Sequence, residues 1–138
     1  MKYIILILII LNAIKEGFME RGYRDKIYCR IRLFKINQFK VLSKFVGCWL
    51  WTGVAFFAYK CYKVGWSGNY ILFAILFQLA IFNYVNALAA WRKTLLGTTS
   101  IIDILIAIIT FRQLWFYILI TVLCFTIAIW YEKILLWI

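Results

Sequence analysis

Three amide side chains, Gln78, Asn83 and Asn86, stand in an uncharged run, FQLAIFNYVNALAAW, at residues 77–91. An amide donates and accepts hydrogen bonds but neither attacks a substrate nor carries a proton at neutral pH. The chemistry open to these residues is therefore helix-to-helix hydrogen bonding, or the lining of a polar path for water, an ion or a lipid headgroup. On a helix turning about 100° per residue, Gln78, Asn86 and Asn83 fall at about 0°, 80° and 140°, within half the circumference. An amide left unpartnered in hydrocarbon is costly, so this face is predicted to look toward other helices, each bond contributing about 0.6–2 kcal/mol.

Charges in apolar surroundings are the second set. Asp103 and Arg112 are nine residues apart, half a turn out of phase on one helix, so each needs another partner. Asp103 follows Gly-Thr-Thr-Ser closely; Thr99 or Ser100 can cap a helix that holds Asp103 near its positive end. Glu16, beside the first apolar run, can meet a basic residue, and a proton-relay role for Glu16 or Asp103 is the functional alternative. The chain has no histidine, which excludes Ser-His and Cys-His arrangements, HExxH and His-ligated metals. Cys29, Cys48, Cys61 and Cys124 are scattered without a CxxC pair and read as small apolar fillers. The expectation is a protein without catalytic apparatus, cofactor or metal; a lipid-modifying enzyme using carboxylates alone is the alternative.

The elements that must position these residues follow from the hydropathy. Of 138 residues, 67% are hydrophobic and 20% aromatic, and mean hydropathy is +0.92, more oil than one soluble core can hide. Four spans are predicted, at 3–19, 45–62, 70–91 and 114–131, in a single membrane domain covering 1–138: an all-α, polytopic transmembrane fold. The first uncharged run is short and must continue past Lys15 to span, so an uncleaved signal anchor competes with a cleaved peptide or a re-entrant segment. Gly47 and Gly53 are six apart, not the four that brings helices into close contact. Residues 101–111 are predicted as an interfacial or half-embedded helix breaking near Arg112, since a charge at mid-depth costs roughly 2.5–3.5 kcal/mol.

Residues 20–44 form the one extended polar stretch, with Arg21, Arg24, Lys26, Arg30, Arg32, Lys35, Lys40 and Lys44 as membrane-surface cations. An amphipathic helix on the headgroup plane is favoured there over a solvated loop, although IYCRIRL also partly alternates as a strand does. The net charge of +11 is read as retention of basic loops in the cytoplasm and attraction to anionic headgroups, with nucleic acid well behind. With the amino terminus outside, Lys15, the eight cations of 20–44, Arg92 and Lys93 fall inside, against Lys2, Lys60, Lys63 and Lys133 outside. That bias agrees with the span assignment.

At LNAIKEG and FQLAIFNYVNALAAWRKTLLGTTSIID the chain resembles small multispan membrane proteins encoded by bacteriophages and bacteria. Asn12, Ala13, Glu16 and Gly17 match one motif of that group, and Gly97, Thr98, Thr99, Ser100 and Asp103 another; Gln78 and Asn83 stand where the group has Arg and Asp. The resemblance implies a phage or bacterial origin and four helices, with an intramembrane ion pair replaced by amides, and it carries no activity. The functional expectation is a non-enzymatic interaction or assembly component, oligomeric or joined to other membrane subunits. A pore or transporter with an amide-lined path, and an accessory subunit of a large membrane complex, are the alternatives.

Overall fold

The computed structural model describes residues 1–24, 30, 31, 36–92, 105, 108, 109 and 113–135. Four helices form its body: α1 Lys2–Arg24, α2 Gln38–Val64, α3 Asn69–Ala90 and α4 Leu114–Leu135. Helix α3 is α-helical over Asn69–Phe77, widens into a π-turn at Gln78–Phe82, and is α-helical again over Asn83–Ala90. Between α1 and α2, β1 Arg30–Ile31 pairs antiparallel with β2 Ile36–Asn37.

Helix α1 occupies the middle. It packs against α2 on one side and along α3 on the other, while α4 lies against α3. Successive helices run in opposite directions. Ser43, near the start of α2, donates to the Lys15 carbonyl at 2.9 Å, late in α1, and Gly53 lies against Leu8, early in α1. Tyr84 and Thr121 share a 2.9 Å hydrogen bond between α3 and α4, and Phe73 meets Tyr131 edge-on at 5.6 Å. Lys2 Nζ reaches the Ile129 carbonyl at 3.2 Å and Glu132 at 3.1 Å, fastening the start of α1 to the end of α4. Ile5, Ile9, Phe73, Phe77 and Ala128 make the apolar centre between these ties.

The helix ends explain themselves locally. Gly65 takes a left-handed φ of +99° and its N–H bonds the Cys61 carbonyl at 2.9 Å, closing α2 in the manner glycine permits at no steric cost. Trp91 closes α3 in the same region, φ 53° and ψ 44°, and the Arg92 N–H returns to the Ala87 carbonyl at 2.9 Å. That pattern is a Schellman cap built on a residue that prefers to avoid it.

Helices α2, α3 and α4 are long and apolar enough to cross a membrane. Helix α1 has the length, 23 residues, but Lys15, Glu16, Glu20, Arg21 and Arg24 crowd its second half. Helices stand where the four spans were expected, and three of them, not four, are long and apolar enough to cross a membrane. Their boundaries differ from the sequence reading. The first continues through Arg24 instead of ending near residue 19, and the second begins at Gln38 instead of residue 45. The expected amphipathic helix over 20–44 is corrected at both ends and in its middle: its first residues extend α1, Lys40 and Lys44 belong to α2, and the described residues between are an extended pair. The register sets Ile31 opposite Ile36, and β-branched isoleucine suits an extended backbone. Of the approach segment 101–111, Leu105, Ile108 and Ile109 are described, as helical and exposed; Asp103 and Arg112 lie outside the described residues, as do Lys26, Arg32 and Lys35. Of Arg24 and Arg30 only the backbone is described.

Candidate functional site: a polar groove between α1 and α3

Small residues bring the second half of α1 and the end of α3 together. Ala13 and Gly17 are four apart; Gly17 faces Asn86, Ala89 and Ala90, Ala13 meets Asn86, and Ala13 and Ala90 are fully buried. A β-carbon built on Gly17 would stand 2.6 Å from Ala89 Cβ, 2.8 Å from the Asn86 carbonyl oxygen and 3.0 Å from the Ala90 nitrogen. Only glycine fits, and the backbones approach as in other small-xxx-small contacts. Across this seam Asn86 Nδ2 donates to the Ala13 carbonyl at 3.3 Å. Asn86 Oδ1 in turn accepts from Arg92 Nη2 at 2.6 Å, and Arg92 Nε lies 3.6 Å from Glu20 Oε1. One amide therefore joins the backbone of α1 to a guanidinium that itself faces Glu20, two turns further along the same helix.

Beside the seam the two helices part and leave a groove of about 500 Å³. From α1 it is lined by Glu16, Met19, Glu20 and Tyr23, which recur at intervals of three and four and so share one face. From α3 it is lined by Gln78, Phe82 and Asn86. The π-turn aligns these three: its wider i→i+5 pitch absorbs an extra residue and holds Gln78 and Asn86 over the same opening. Glu16 Oε1 accepts from Lys15 Nζ at 3.0 Å, so both carboxylates at the groove have a cation at hand.

At the end of the seam, Arg21 is held between two rings, its guanidinium carbon 4.1 Å from the centre of Phe39 and 4.2 Å from that of Trp91. The contact links α1, the start of α2 and the strained cap of α3. Lys40 lies over Tyr23 at 4.5 Å in the same region. Lys44 is exposed on α2.

The three amides predicted to act together divide. Gln78 and Asn86 line the groove, whereas Asn83 is buried, 7% exposed, and is not among the groove residues. Glu16 sits on the groove with a basic partner. The sequence reading passed over Glu20, gave Arg92 only a place in the charge bias, and named Ala13 and Gly17 without their contact; small residues four apart, sought beyond glycine pairs, disclose that contact. Among the described residues no three His, Cys, Asp or Glu side chains converge as metal ligands, and Cys48, Cys61 and Cys124 are free thiols. The groove can hold charge and hydrogen-bond a guest. Comparison of the chain with protein-family models, with curated proteins and with solved structures gives no match.

Proposed function

We propose that this chain is a small integral membrane protein of four spans that works without catalysis, by associating in the bilayer with further copies of itself or with another membrane protein. One observation carries the reading. Helix α2 rests chiefly on α1, only 11% of its span is buried, and Trp49, Trp51, Phe56 and Tyr62 project from it. Such a helix suits lipid on some faces and a neighbouring helix on others. Helix α1 completes the set of spans because its charges meet partners at one end: Lys15 with Glu16, Glu20 with Arg92, Arg21 between two rings. That end, with Lys40 and Lys44, is the side assigned to the cytoplasm and to anionic headgroups, which leaves the amino terminus outside.

Two measurements test this. Resistance of the chain to carbonate extraction from membranes tests insertion. Cysteine cross-linking tests association: a variant keeping only Cys48, exposed on α2, is oxidised in native vesicles and is expected to form a dimer, whereas one keeping only Cys124 is not. A chain extracted by carbonate overturns the membrane assignment, and a monomer under every cross-linking condition and after gentle solubilisation overturns assembly with itself. A partner that co-purifies in fixed ratio converts the reading to an accessory subunit. The polar groove favours a second reading, a transporter or pore, for which Gln78→Leu is expected to abolish flux into reconstituted vesicles while leaving assembly intact.

A further inference from the structure

We propose that the groove between α1 and α3 binds a substituted ammonium, the charged head of a molecule whose apolar remainder lies along the helices. The inference does not depend on association between copies, since the groove is formed within one chain. Glu16 and Glu20 are one helical turn apart, about 5–6 Å between β-carbons, and both open onto the groove. Their cationic partners engage Oε1 of each and leave 42% and 40% of the two side chains exposed. The Glu20 contact, at 3.6 Å, is longer than a hydrogen bond and can be exchanged for a closer guest. The Arg92 guanidinium is meanwhile committed to Asn86 at 2.6 Å.

Four features select this class of guest. Two carboxylates oppose an anion. A volume of about 500 Å³ exceeds what a bare ion fills, and the described residues offer no metal cluster. The ring of Phe82 on the groove wall can attract alkylated ammonium, an interaction that strengthens when water is excluded, while the Tyr23 ring at the groove already lies under Lys40. The amide of Gln78, opposite the carboxylates, accepts from any N–H that the head retains. The same head group occurs on amine-bearing phospholipids, entering sideways from the bilayer, and on soluble organic cations.

The test uses the full chain in dodecyl maltoside micelles with two probes. Benzyltrimethylammonium is followed by equilibrium dialysis, and retention of phosphatidylethanolamine over phosphatidylglycerol by mass spectrometry of the released protein. Saturable binding in either arm is expected, and the arm that responds identifies the source. Replacing both carboxylates, Glu16→Gln with Glu20→Gln, is expected to weaken binding by about tenfold or more while helix content holds. Phe82→Leu keeps the carboxylates and the apolar volume and is expected to weaken benzyltrimethylammonium severalfold. The proposal is overturned if neither probe binds saturably, or if the double variant binds as the parent does. Should the double variant fail to fold, unchanged binding by Phe82→Leu overturns it instead.

Discussion

Gly17→Ala adds one methyl group where α1 and α3 have no room for it. The new β-carbon would stand 2.6 Å from Ala89 Cβ, 2.8 Å from the Asn86 oxygen and 3.0 Å from the Ala90 nitrogen. Two of those three atoms are backbone, so no side-chain rotation relieves the contact, and the helices must separate by about 1 Å to restore ordinary van der Waals distance. Separation stretches the 3.3 Å bond from Asn86 to the Ala13 carbonyl, which already lies toward the long end of the range. Overpacking costs about 1–3 kcal/mol and the bond contributes about 1 kcal/mol, against a gain of about 0.5–1 kcal/mol from replacing a mid-helix glycine. The net expectation is a loss of about 2 kcal/mol, read as a drop in thermal midpoint of roughly 5–10 °C in detergent. Two glycines on α2 serve as internal controls. At Gly47 the new carbon meets Lys15 at 3.7 Å, an ordinary contact, so Gly47→Ala is expected to stabilise slightly. At Gly53 it meets only the Leu8 side chain, Cδ2 at 2.6 Å and Cγ at 3.9 Å, the closer atom being the far end of a flexible side chain, so Gly53→Ala is expected to be near neutral. Equal midpoints for the Gly17 and Gly47 variants would refute the close approach of α1 to α3.

Asn86→Leu removes the bridge between the Ala13 carbonyl and Arg92 and leaves a half-buried guanidinium short of its closest acceptor; a loss of about 2–4 kcal/mol is expected in detergent unfolding. Trp91→Gly relieves the left-handed backbone but forfeits the ring beside Arg21, so it is expected to be nearly neutral, whereas Trp91→Ala keeps the strain and should be less stable than the Gly variant by about 1 kcal/mol. Deleting residues 2–19 removes the helix that touches both α2 and α3, and the remainder is expected to lose cooperative unfolding; an intact transition after deletion would show that the helices cohere without it. Lys2→Ala breaks a pair whose glutamate is 64% exposed and is expected to change stability by less than about 1 kcal/mol.

The sequence disclosed the long apolar helices because runs without charge have few other uses. It placed their ends less well. The uncharged part of the first run stops at Ile14, yet α1 continues for ten more residues. Those residues stay helical because their charges find partners on other elements: Glu20 meets Arg92, and Arg21 lies between Phe39 and Trp91. No one-dimensional pattern pairs residue 20 with residue 92. The seam at Ala13 and Gly17 was legible in principle, being small residues at a spacing of four, but attention to glycine pairs alone directs the search to α2, where Gly47 has ordinary clearance.

The divided fate of the three amides has a different cause. Phase arithmetic at 100° per residue assumes one pitch from residue 78 to residue 86, and the chain does not keep it. The π-turn over Gln78–Phe82 widens the helix between the first amide and the other two, so every phase beyond it lags the ideal. Under that lag Asn86 falls back toward the direction of Gln78, and both face the groove. Asn83 remains buried within the bundle. A π-turn costs helix geometry and persists where surrounding contacts require it. Here the requirement has two parts that pull on the same helix: Phe77 must stay in the apolar centre, fully buried against Phe73 and Phe125, while Asn86 must meet the Ala13 carbonyl across the glycine seam. A regular helix can satisfy one of these phases, and the extra residue in the turn reconciles both. It also leaves Gln78 on the α3 wall of the groove that Glu16 lines from α1.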